Sequence, residues 1–217
     1  MDENTAPGSA ISGLSKNRIE TLTDGIYAIA MTLLVLGIEV PQVLPLVPLD
    51  TLFHSLIPDI IHFVISFLAL AVIWVLHHQQ FHYIRMMDNT LLWMSIIGLM
   101  LVCLVPFSTS LADTYSGVAL ANIPFAVNIL LISLLLFLQW NHAVRHPHLV
   151  IGELSRETAD LERNRNAVIL TITFFGSVLA FVSILEGIII YLLIPVLFGL
   201  FPQIDRHLKN TRTREKQ

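Results

Sequence analysis

One charged residue stands about a turn inside an apolar run. It is Asp24, in the stretch Arg18-Ile-Glu-Thr-Leu-Thr-Asp24, which continues without a break into Gly25-Ile-Tyr-Ala-Ile-Ala-Met-Thr-Leu-Leu-Val-Leu36. A carboxylate inside a membrane helix is expensive unless it is paired or hydrogen-bonded, so it marks a functional position with a partner on another element. A second run, Trp74-Val-Leu-His77-His78, offers an indole N–H donor and imidazoles at spacings of three and four, which share one helix face. Counted in depth from the same end of a helical pair, Asp24 and His77 match, which predicts a hydrogen-bonded Asp24–His77 pair with Trp74 donating its indole N–H. Such a set fixes one helix against another by hydrogen bonds. Arg18 and Asp24, six residues apart, point roughly 120° away from each other, so each needs its partner elsewhere.

The same helix carries a second pattern. At 100° per residue, Ile29, Leu33 and Leu36 fall within about 60° of one another, with Thr32 roughly 60° to one side of Ile29 and Asp24 roughly 140° away from it. The helix therefore presents an apolar stripe on one side and a polar anchor on another. By spacing alone the stripe reads first as helix packing or lipid contact.

The elements that hold these residues follow from composition. Of 217 residues, 55% are hydrophobic and 13% charged, about half the charged share of a soluble domain, which excludes an ordinary soluble globular protein. Six apolar segments, at 19–40, 53–82, 90–112, 118–143, 167–185 and 188–202, predict an all-α polytopic membrane protein with six transmembrane helices per chain. The expected organisation is an N-terminal tail over 1–18, a six-helix membrane domain over 19–203 and a basic C-terminal tail over 204–217. The first 18 residues lack the basic-then-apolar order of a secretory signal. All twelve Lys and Arg residues fall on one side of that layout: Lys16, Arg18, Arg85, Arg145, Arg156, Arg163, Arg165 and five in the tail. The positive-inside rule then makes both termini cytoplasmic and leaves Glu39, Asp50, Asp59, Asp113 and Glu186 toward the other side. A net charge of −4 gives no basic excess for a nucleic-acid partner, and the single Cys103 allows no internal disulfide.

Two other chemistries were weighed on the residues. The histidine runs His77-His78…His82 and His142…His146…His148 suggest a membrane iron or haem enzyme, but their spacing is poor, Pro147 breaks the second run, and acidic co-ligands are absent beside either. The expectation is no enzyme, no metal and no cofactor. A proton-coupled secondary transporter is the stronger alternative, with Asp24 and intramembrane histidines as a relay and prolines at 106, 124 and 195 breaking helices. Against it, the helix 1 pattern has no second copy.

The pattern Arg18-x-x-x-Leu22-Thr23-Asp24, followed by Gly25-Ile-Tyr-Ala-Ile29-Ala-Met-Thr32-Leu33-Leu, resembles the helix 1 signature Arg-x-x-x-Phe-Ser-Asp of the transmembrane protein 175 family of endosomal and lysosomal potassium channels and their bacterial relatives. Trp74-x-x-His77-His78 is similar to the family's second-helix pattern. Leu22 stands for Phe and Thr23 for Ser. The resemblance implies a homotetramer with helix 1 lining the pore, conducting potassium and other monovalent cations across the cell membrane with weak selectivity. Carried over residue by residue, it implies a constriction at Ile29, Leu33 and Leu36, a selectivity-linked hydroxyl at Thr32, and a helix 1–helix 2 network of Arg18, Thr23, Asp24, Trp74 and His77.

Overall fold

The computed structural model describes residues 16–38, 49–115, 118–152 and 154–180. They form five α-helices: α1 (Lys16–Leu33), α2 (Leu49–Tyr83), α3 (Asn89–Thr114), α4 (Ala119–Arg145) and α5 (Arg156–Ala180). A single 3₁₀ turn, Leu34–Gly37, continues α1, and another, Pro147–Leu149, follows α4. Local chemistry sets several of these limits. Asp88, in extended backbone, accepts the Leu91 N–H at 2.8 Å and so caps α3. Pro147, which cannot continue a helix, comes just after α4 ends. Pro58, Pro106 and Pro124 sit inside helices that run through them. Near Pro106 the Ser108 and Thr109 hydroxyls donate to the Val105 carbonyl at 3.0 and 2.9 Å, and Thr109 Oγ1 also lies 2.9 Å from Ser66 Oγ of α2.

α3 packs along α4, α4 along α5, and α1 against α2 and α3. The main core takes Tyr27, Ala30 and Leu34 from α1, Leu70, Ile73 and Leu76 from α2, Val102 and Val105 from α3, and Ile129 and Ile132 from α4. A second cluster, Ile19, Phe81, Ile84, Leu91, Leu92, Ala143 and Leu149, closes the end of the bundle where α1 and α3 begin and α2 and α4 end. There the 2–3 and 4–5 connections are stitched together: Ile84 bridges Val150, the Arg85 N–H donates to the Leu149 carbonyl at 2.7 Å, and the Ile151 N–H donates to the Tyr83 carbonyl at 3.0 Å.

Among the described residues four segments, Lys16–Gly37, Leu56–Tyr83, Asn89–Thr114 and Leu120–Arg145, are long and apolar enough to cross a membrane. This corrects the expected six transmembrane helices. The fifth expected span falls on α5, whose first ten residues carry Arg156, Glu157, Asp160, Glu162, Arg163 and Arg165. Among the described residues α5 is not one of the segments long and apolar enough to cross a membrane, and residues 181–185 of the expected fifth span lie outside them. The sixth expected span, 188–202, lies outside the described residues, as do Glu39, Glu186, the first fifteen residues and the expected tail over 204–217. The assignment of both termini to the cytoplasm was counted through six spans and falls with them. Geometry does gather Lys16, Arg18, Arg85 and Arg145 at one end of the bundle and Asp59 and Asp113 toward the other.

Candidate functional site

α1 has two faces. Ile19, Thr23, Tyr27, Ala30 and Leu34, spaced by three and four, are buried against the other helices. On the opposite side Leu22, Ile29, Leu33 and Leu36 are exposed in the single chain, with Ile29 at 59% and Leu36 at 72%. The 3₁₀ turn changes the stripe in one respect. A residue three positions on eclipses its predecessor in that geometry, so Leu36 comes closer to standing in line with Leu33 than a continuous α-helix would allow. Thr32 Oγ1, also exposed, donates to the Ile29 carbonyl at 2.8 Å. Its proton is thus committed to the backbone, and its oxygen can take further contacts only as an acceptor. A surface groove lined by Arg18, Thr21, Leu22, Gly25, Ile26 and Ile29 runs along the same helix.

The polar anchor joins α1 to α2. Trp74 Nε1 donates to Asp24 Oδ1 at 2.9 Å, and the Trp74 ring stacks on His78 with centroids 5.8 Å apart. His77 is not brought into this bond. It is 8% exposed and lies on Phe81, ring centroids 4.0 Å apart, and among the described residues it makes no hydrogen bond to Asp24. Thr23 is buried with its hydroxyl unpartnered among the described residues. Arg18 is exposed, and no ion pair joins it to Asp24 among the described residues.

Two further carboxylate–imidazole pairs join helices, and sequence reasoning had not identified either. His62 Nδ1 of α2 lies 2.7 Å from Asp113 Oδ1 of α3, both side chains nearly buried. His142 Nε2 of α4 lies 2.7 Å from Asp88 Oδ2. Burial pushes the Asp88 carboxyl up, but the Leu91 amide and the His142 ring together hold it below the usual carboxylate range. The Asp88-Asn89-Thr90 start of α3 carried an N-cap signal in the sequence; the His142 contact carried none. The second histidine run is thus occupied in packing: His146 lies over His142 with centroids 4.4 Å apart, and its Nδ1 meets the His142 carbonyl at 2.8 Å.

A bundle of four membrane-length apolar helices, tied by hydrogen bonds between buried or half-buried polar side chains, defines a polytopic helical membrane protein. The model of the family described as "Endosomal/lysosomal potassium channel TMEM175" matches residues 18–106, which take in the whole Asp24–Trp74 anchor. A potassium channel of Streptomyces collinus is 33% identical over 161 residues, 70% of this chain and 75% of that one. The crystal structure of a lysosomal potassium-selective channel TMEM175 homolog from Chamaesiphon minutus superposes with a TM-score of 0.75 at 29% identity, covering 85% of this chain and 96% of that one. The endosomal/lysosomal proton channel TMEM175 of Gallus gallus is 23% identical over 92% of this chain, which spans 40% of its length. The chain belongs to the TMEM175 family. That family and these relatives are channels, not enzymes.

Proposed function

We propose that this chain is a potassium-permeable, weakly selective monovalent cation leak channel of the cell membrane, built from four copies with α1 lining the pathway. The observation that carries the reading is the division of α1: one face is buried in its own bundle, while Ile29, Leu33 and Leu36 stand exposed on the other. Four copies of these side chains form stacked apolar rings. A narrow apolar tube dewets, so ions pass only when it widens enough to admit water. Ions that shed water easily then pass best, which favours potassium over sodium. The discrimination is modest because no ring of carbonyls replaces the hydration shell. The hydroxyl oxygen of Thr32, an exposed residue beside the stripe, supplies a partial substitute.

In this reading Asp24 does not bind the ion. Its bond to Trp74 holds α1 against α2 and so sets the radius between facing copies. Arg18, exposed at the start of the same helix, is available to a neighbouring copy. Family membership favours a channel over the proton-coupled transporter. The proton-channel name of the vertebrate relative makes proton permeation the second property to measure.

Reconstituted protein recorded in bilayers under potassium, sodium and pH gradients tests the proposal. Discrete current steps with a reversal potential displaced toward potassium are expected, from a particle whose native mass equals four chains. A monomer whose flux saturates and requires a coupling ion sinks the channel reading.

A further inference from the structure

We propose that the bundle binds one ordered water molecule where α1, α2, α3 and α4 meet, and that this water fastens α1 to the other three helices. The site is a cavity of about 20 Å³, and the polar side chains that line it are Tyr27, His77, Ser95 and Gln139. Each comes from a different helix. All four are more than nine-tenths buried, at 4%, 8%, 3% and 3% exposure.

The hydrogen bonds around the cavity leave one strong group unpaired. Ser95 Oγ donates to the Leu91 carbonyl at 2.8 Å, and Gln139 Nε2 reaches Ser95 Oγ only at 3.4 Å. Gln139 Oε1 is buried and has no donor among the described residues. Exchanging the amide's oxygen and nitrogen does not remove the problem, because one end of the amide still faces the cavity unpaired. Buried polar groups in folded proteins are almost always satisfied by protein or by ordered water.

Volume and chemistry both select water. A site needs roughly 10–15 Å³ open to the centre of a water molecule to hold one, and the water needs two to four polar partners. This cavity has room for one and not for a larger ligand. Gln139 Oε1 accepts, the Tyr27 phenol donates, and Ser95 Oγ or a His77 ring nitrogen completes the set. Leu99, Ile132, Leu135 and Leu136 form the apolar part of the lining; what sets the cavity apart from those that stay dry, which are apolar throughout, is the cluster of four polar side chains on it. The bound water links Tyr27 on α1 to Gln139 on α4, an attachment independent of the Asp24–Trp74 bond and of the pore assignment.

The test is an experimental map of the full-length protein in lipid nanodiscs, at a resolution that orders other buried waters, for the wild type and for Gly98→Ala. Gly98 lines the cavity, and a Cβ built there meets nothing nearer than Leu135 Cδ1 at 4.0 Å, so the variant folds and its methyl takes part of the space. Density for one water beside Gln139 is expected in the wild type and not in Gly98→Ala; a wild-type map without it overturns the proposal. Thermal unfolding of Gln139→Leu gives an independent sign. Loss of a water-bridged amide lowers the melting temperature, by roughly 2–6 °C for a chain of this size. A higher melting temperature, the result of removing an unpaired amide from a dry cavity, also overturns it.

Discussion

Asp88 closes the first turn of α3 with one carboxylate oxygen and reaches across to His142 on α4 with the other. Its folded pKa lies below its ordinary value, so the ionised form is the one that folding favours. The stability it contributes is fully present above the unfolded pKa of about 4 and is lost as pH falls through the lower folded value. Asp88→Ala removes the cap and should cost about 1 kcal/mol at neutral pH, whereas Asp88→Asn keeps most of the cap and should cost less. Thermal unfolding in detergent checks both, and the gap between wild type and Asp88→Asn should shrink below about pH 4. Not every contact of this kind is legible from sequence. Depth counted along two helices matches Asp24 to His77, and from the same count the approach of Trp74, about one turn away, can be read. The orientation of His77 cannot, because the flat face of Phe81 one turn on decides where the imidazole lies. The meeting of Tyr27, His77, Ser95 and Gln139 depends on four helices at once, and no single helix's periodicity encodes it.

The two-faced character of α1 follows its 3.6-residue period: Ile19, Thr23, Tyr27, Ala30 and Leu34 recur on the buried side and Leu22, Ile29, Leu33 and Leu36 on the other. The 3₁₀ turn at Leu34–Gly37 is not legible in this way, since Leu-Val-Leu-Gly carries no local signal that prefers it to an α-helix. The span count failed for a related reason. Hydropathy reads the apolar run after Asn166 as a separate element, but α5 begins ten residues earlier and folds its charged start against α4. There the Trp140 indole donates to the Ala159 carbonyl at 3.1 Å, and Arg165 donates to Glu162 in a pair whose side chains are 12% and 6% exposed. Burial pushes the Glu162 carboxyl up and the Arg165 guanidinium down, and each partly restores the other's charged form. Arg165→Ala strands a buried carboxylate and should cost about 3–5 kcal/mol, while the double variant Glu162→Gln, Arg165→Met should cost clearly less than that single change. Chemical or thermal unfolding of the two proteins decides it. Equal losses would mean that packing of the arginine stem, not charge, holds the start of α5.

Among the described residues a single copy of this bundle leaves a stripe of large aliphatic side chains exposed on α1. Exposed apolar side chains are ordinary on a membrane protein, where lipid covers them. One observation sets the α1 face apart: it lies on the helix anchored by Asp24. Composition alone placed the chain in a membrane, and the helix 1 pattern placed it in its family. Neither could supply the charged, packed start of α5 nor the tight joining of the 2–3 and 4–5 connections through Ile84 and Val150. The central claim is that Ile29 forms part of an apolar constriction on the ion pathway, and single-channel conductance of Ile29→Asn against wild type tests it most directly. A polar ring admits water to a tube that otherwise dewets, so the account predicts a severalfold larger potassium current from an assembly of unchanged native mass. An unchanged current from a correctly assembled Ile29→Asn channel would place the pathway elsewhere and contradict the account.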